Sequence, residues 1–196
     1  MRHAFRFAAL SAFAMAPAAA FAHPGTAPHD HAGFLAGVLH PLTGADHLAA
    51  MVAVGLWAAA LGGRAIWAVP ASFVGLLAIG AVSGVSGIAL PAVEPMIAVS
   101  VIALGLAVAF RLRVAAPAAA ALVGVFAVFH GHAHGAEMPA LASPLLYGLG
   151  FVLATAALHG AGIALGLGLG RTGAAWLPRI AGHGIAAFGA LLLVAG

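Results

Sequence analysis

The stretch GFLAGVLHPLTGADHLAAMVAVGLWAAAL, residues 33–61, is apolar along its length except for one polar block from His40 to His47. A run this long exceeds the roughly 20 residues needed to cross a hydrocarbon core about 30 Å thick. The block places two imidazoles and the Asp46 carboxylate inside the run. Ionisable groups within a span are costly, and they mark a pathway or a site. Pro41 removes a backbone donor and Gly44 is conformationally permissive, so the helix is expected to break or kink here. On an unbroken helix His40 and His47 would share a face but lie about 10 Å apart along the axis. One ion with bonds of about 2 Å could not take both. An unwound turn lets the two rings converge and frees backbone carbonyls to line a cavity. Asp46 then either ligates directly or orients a histidine from behind.

The rest of the chain has the same character. Hydrophobic residues make up 64% of the 196 positions and charged residues 6%, against roughly 25% charged in soluble domains. So few charges cannot cover a water-exposed surface. Further spans are expected near 66–83, 93–110, 115–132, 144–169 and 176–195. The fold class is therefore an all-α integral membrane protein of about six transmembrane helices, forming one domain over 33–196. Ahead of it, Arg2 and Arg6, the apolar run from Phe7 to Ala16 and the Ala20-Phe21-Ala22 site read as a signal peptide, 1–22, cleaved after Ala22. Residues 23–32 form a histidine-rich tail. There His23 would become the mature N-terminus, and an amine beside an imidazole can capture a metal ion through both nitrogens.

The charges orient the spans. Arg64, Arg111, Arg113, Arg171 and Arg179 fall in the first, third and fifth loops, whereas Glu94 and Glu137 fall in or beside the second and fourth. The positive-inside rule puts the arginine loops in the cytoplasm and the N-terminus in the periplasm of a bacterial inner membrane. Isolated arginines between apolar runs do not make a nucleic-acid surface. The absence of cysteine excludes disulfides and thiolate metal sites.

Histidine is the anomaly, with 11 in so apolar a chain. The fourth span ends in Phe129-His130-Gly131-His132-Ala133-His134-Gly135-Ala136-Glu137. His130, His134 and Glu137 share a helical face. Two imidazoles with a carboxylate suit Ni²⁺, Co²⁺ or Zn²⁺ better than Mg²⁺ or Ca²⁺. His132 points elsewhere on a regular helix, toward the solvated outer surface. Met51, which follows the first polar block, is a candidate pathway residue together with His132 and His159. His159 in the fifth span and His183 in the sixth extend a descending line of imidazoles, a metal or proton path. Gly162, Gly166 and Gly170 form a small-residue stripe for helix packing.

The runs His40-Pro41 to Asp46-His47 with Ala50-Met51 and Val54-Gly55, then Phe129-His130-Gly131 with Ala133-His134-Gly135 and Glu137, resemble the HupE/UreJ family of nickel/cobalt permeases. Leu158-His159 is similar too, and the resemblance covers essentially the whole mature chain. It implies a permease that is not an enzyme, carries Ni²⁺ as substrate and supplies hydrogenase or urease maturation. By that carry-over His40, Asp46, His47, His130, His134 and Glu137 are the functional positions, and His132 is an additional histidine with no assigned role. The expected partners are membrane lipid and a divalent transition-metal ion, with no nucleic acid. Self-association into a homo-oligomer is left open.

Two other classes compete. A membrane metal sensor without transport would carry the same sites, and only flux separates it. An intramembrane serine protease would use Gly84-Val85-Ser86-Gly87 with His159 or His183 as base. That reading leaves the histidine clusters unexplained, and no His-Glu-x-x-His metalloprotease motif is present. Spans one and four carry the two polar motifs. With three spans per half the halves would run in opposite senses, an inverted repeat of the secondary-transporter kind.

Overall fold

The computed structural model describes residues 29–140, 142–174 and 176–195, with the side chains of 29–32 excepted. The expected signal peptide and His23 lie outside the described residues. Seven helices are described: α1 (His29–Thr43), α2 (Ala45–Leu61), α3 (Ala65–Val85), α4 (Val93–Ala109), α5 (Ala116–Ala136), α6 (Pro144–Arg171) and α7 (Leu177–Ala195). There is no strand among the described residues. Four helices, α3, α5, α6 and α7, are long and apolar enough to cross a membrane, and α1 with α2 makes a fifth if the bent pair is one span. The chain is a multi-pass membrane protein by this measure. α4 has only 17 residues, about 26 Å at 1.5 Å per residue, short of a full hydrocarbon thickness.

The first stretch is not one helix. α1 and α2 meet at 79°. Gly44, at φ −80° and ψ 110°, is the break, and Pro41 sits within the last turn of α1. The Gly44 N–H closes α1 on the His40 carbonyl at 3.3 Å, and the Gly44 carbonyl opens α2 by accepting from Leu48 at 2.9 Å. One extended residue thus redirects the chain while keeping most of its backbone bonded. Asp46 supports the new start, because its Oδ1 accepts the His47 N–H at 2.8 Å. A carboxylate in a first turn also complements the helix dipole.

The helices pack in three close pairs. The bent pair α1–α2 runs beside and parallel to α6, with Gly37 against Tyr147 and Gly55 against Gly162. α3 runs parallel to α5, with Gly84 against His132 and Gly131 against Leu77. α4 runs antiparallel to α7, with Gly105 against Gly182. At these crossings backbone touches backbone, and even a methyl group would collide with a facing carbonyl. In lipid, association depends on such close packing because hydrocarbon offers no hydrophobic drive. The stripe on α6 divides: Gly162 and Gly166 meet α2, but Gly170 lies beyond the crossing, and a Cβ there would meet nothing within 4 Å. Met51, Trp57, Phe73, Leu77 and Leu104 fill the centre. Large apolar residues such as Trp67, Val82, Leu145 and Leu191 point outward, as a lipid-facing surface requires.

Candidate metal site

The break at Gly44 turns the last turn of α1 and the first turn of α2 toward the end of α5. His40, His134 and Glu137 come together so that one ligand atom from each lies within 4.8 Å of the others. His40 Nε2 is 3.2 Å from Glu137 Oε2. His47 packs against this group, its ring tilted on that of His134 at a centroid distance of 3.9 Å and edge-on to that of His130 at 4.6 Å. A cavity of about 260 Å³ is lined by His40, Asp46, His47, His134 and Glu137, with Glu94 on a further wall.

Hydrogen bonds fix which ring nitrogens are free. His47 Nδ1 lies 2.9 Å from Asp46 Oδ1. An ionised carboxylate only accepts, so Nδ1 carries the proton and donates it. His47 Nε2, which is buried without a partner among the described residues, is left with its lone pair. This carboxylate–imidazole arrangement orients metal-binding histidines and raises their basicity. His130 follows the same logic. Ser100 Oγ spends its one hydrogen on the Ile97 carbonyl at 2.6 Å, so at 2.7 Å it accepts from His130 Nε2–H. His130 Nδ1 then presents a lone pair, buried and unpartnered. His134, 2% exposed, leaves both nitrogens unpartnered. A buried polar atom without a partner costs about 1–3 kcal/mol. His47 and His134 line the cavity and His130 packs on His47, so three such imidazoles form a donor set suited to a borderline transition metal.

Replacing Ser100 by alanine leaves His130 Nε2–H buried with no acceptor and its ring free to turn. Metal affinity is expected to fall about tenfold, the lower end of the range for outer-shell changes. Isothermal titration with Ni²⁺ reads this directly, and an unchanged affinity would detach His130 from the site.

The other candidates are placed differently. Met51, one turn below His47, is fully buried in the core. His159 on α6 is 1% exposed, packs edge-on against Phe73 at 5.1 Å and has no partner for either nitrogen among the described residues. Phe73 also lies 5.8 Å from His130, so this ring separates the cluster from His159. His132 is not solvated as expected: it is buried against α3, 3.0 Å from Ser83 Oγ. His183 does not continue the line. It is exposed, bonded at 2.8 Å to the Arg179 carbonyl, and packs on Phe110. Ser86 is exposed at the end of α3 and has no hydrogen bond to an imidazole among the described residues, so the protease reading lacks a nucleophile–base pair.

Four lining or supporting residues were missed in the sequence. In the sequence Glu94 reads as a loop-edge residue, and Ser100 is a lone hydroxyl in an apolar helix. Tyr147 and Phe151 wall the histidines from α6, with Phe151 4.0 Å from His134 and Tyr147 5.9 Å from His40. The chain's single tyrosine, one turn before a phenylalanine near a helix start, was the available signal.

Glu137 lies just beyond α5. The hydrogen bond from His40 holds its carboxyl below the usual carboxylate range, so it stays ionised above its depressed pKa. Histidines must be neutral to ligate.

Comparison with known proteins follows the same residues. No solved structure matches the chain. Protein HupE of Rhizobium leguminosarum bv. viciae is 49% identical over 187 residues, covering 94% of this chain and 95% of that protein. The family described as HupE / UreJ protein matches over residues 10–192. A match of that extent, which takes in both polar motifs and every helix that carries the cavity, shows that the chain belongs to the HupE/UreJ family.

Proposed function

We propose that this protein is a permease that moves Ni²⁺, with Co²⁺ as a second substrate, from periplasm to cytoplasm across a bacterial inner membrane. The observation that carries the reading is that His47 and His134 line one polar cavity with buried nitrogens left without partners among the described residues, while the unpartnered His130 packs against His47. His40 and Glu137 form its outer edge, and Glu94 adds negative charge that attracts a cation. Asp46 holds His47 in the ligating tautomer. His159, beyond Phe73, is the next imidazole on the way through.

In this reading α4 is the remaining crossing, which gives six, and the arginine-bearing loops are cytoplasmic. A cleaved signal peptide and a periplasmic tail starting at His23 precede the bundle. The packing pattern supports an inverted repeat of three plus three spans. Exchanging the two halves turns the α1–α2/α6 pair into the α5/α3 pair, both parallel, and returns the antiparallel α4/α7 pair to itself. The metal delivered inward supplies hydrogenase or urease maturation. The membrane potential drives a divalent cation inward by about 4.6 kcal/mol at 100 mV.

The test is uptake of radioactive nickel by proteoliposomes holding the purified chain under an inside-negative potential, with Co²⁺ and Zn²⁺ as competitors. Saturable uptake supports the permease. Binding without flux, with or without a proton gradient, would replace it with the metal-sensor reading.

A further inference from the structure

The opposite end of the bundle carries a second polar cavity that the metal chemistry does not use. It encloses about 290 Å³ between α2, α4, α6 and α7, and Arg111, Arg171 and Arg179 all line it. Leu56, Val108 and Gly170 contribute apolar or bare wall. The volume is near the lower end for small-molecule sites, roughly 300–1,000 Å³. Charge bias explains arginines in these loops. It does not require that three from separate segments share one cavity.

No carboxylate among the described residues answers them. Asp46, Glu94 and Glu137 line the metal cavity instead, and the ion pairs among the described residues involve only His40 and His47 of that cavity. Arg111 is held at φ 51°, in the left-handed region. Its N–H bonds the Val108 carbonyl at 3.2 Å and the Leu112 N–H bonds the Ala107 carbonyl at 2.9 Å, a helix ending where glycine would sit without strain. The chain keeps arginine there. Arg179 is anchored toward the same spot, its Nε donating to the Ala109 carbonyl at 3.3 Å. Gly170 has open space where a side chain would project, so helix packing does not demand glycine. Its lack of a side chain leaves the cavity open.

We propose that this cavity binds a phosphate-bearing anion through Arg111, Arg171 and Arg179. Guanidinium forks match phosphate oxygens bidentately. The apolar wall beside them suits a phosphate carried on hydrocarbon, and basic pockets between transmembrane helices hold anionic head groups. Because the three arginines come from α6, α7 and the end of α4, the ligand ties the α4/α7 pair to α6. The site stands independently of the metal reading.

Thermal unfolding of the full chain in detergent, titrated with phosphatidylglycerol, then with inorganic phosphate, and with phosphatidylcholine as the uncharged control, tests this. A ligand bound only by the folded state raises the midpoint saturably. The response to phosphatidylglycerol is expected to saturate, and its apparent affinity to weaken about fivefold in each of Arg111→Gln and Arg179→Gln. Gly170→Leu, which fills the cavity without removing charge, weakens it as well. Arg64→Gln, outside the cavity, does not. The same variant pattern with inorganic phosphate alone would support the site and assign a soluble source. A response absent for both ligands, one that survives all three cavity changes, or one lost equally in Arg64→Gln would overturn the proposal.

Discussion

Nickel uptake is expected to fall to background when His47 becomes alanine, and by about ten- to a hundredfold when Asp46 becomes asparagine. His47 Nε2 is buried and aimed at the cavity with no partner among the described residues, so its loss removes a central donor. Asparagine can still accept the Nδ1–H bond through its carbonyl. The tautomer survives while the negative charge behind the ring is lost, and the smaller effect follows. The readout is the initial rate of radioactive nickel entry into proteoliposomes at matched protein content. A His47→Ala variant that transports at the wild-type rate would remove the bent α1–α2 segment from the pathway.

The second large effect concerns the fold. Gly131 sits where α5 crosses α3, and a Cβ there would collide with the Leu77 carbonyl. Because the obstacle is backbone, leucine at this position must push the helices apart. Overpacking a close-fitting interior costs about 1–3 kcal/mol, and here it also tilts the helix that holds His130 and His134. Gly131→Leu is expected to lose most monodisperse protein in size-exclusion chromatography and to lower the thermal midpoint of the remainder. Gly148→Leu on α6, where a Cβ meets nothing within 4 Å, is the matched control and should behave as wild type. Equal behaviour of the two variants would contradict the glycine-mediated crossing.

These expectations differ in how far they could be read from the chain itself. Pro41 and Gly44 announced the interruption of the first apolar run because both act locally, one by removing a donor and one by tolerating extended backbone. The spacing of His130, His134 and Glu137 showed one helical face for the same reason. Ser100, Tyr147, Phe151 and Glu94 were not legible, since each meets the cavity or its histidines only through packing between helices distant in sequence. The burial of His132 was missed because the face opposite the cluster was assigned to solvent, whereas α3 crosses there through Gly80 and Gly84. His183 fell out of the expected line because α7 pairs with α4 and turns that position outward. The convergence of Arg111, Arg171 and Arg179 depends on a left-handed residue after α4, which no local pattern predicted.

Imidazoles from two separate chain segments, α1–α2 and α5, are expected to bind one transition-metal ion. X-ray absorption of the Ni²⁺-loaded protein tests it most directly, with the same spectrum from His47→Ala and His134→Ala. Nitrogen and oxygen ligands are expected at about 2 Å with the scattering signature of several imidazoles, and a loss of imidazole contribution in each variant. A nickel environment without imidazole scattering, or one unchanged in both variants, would contradict it.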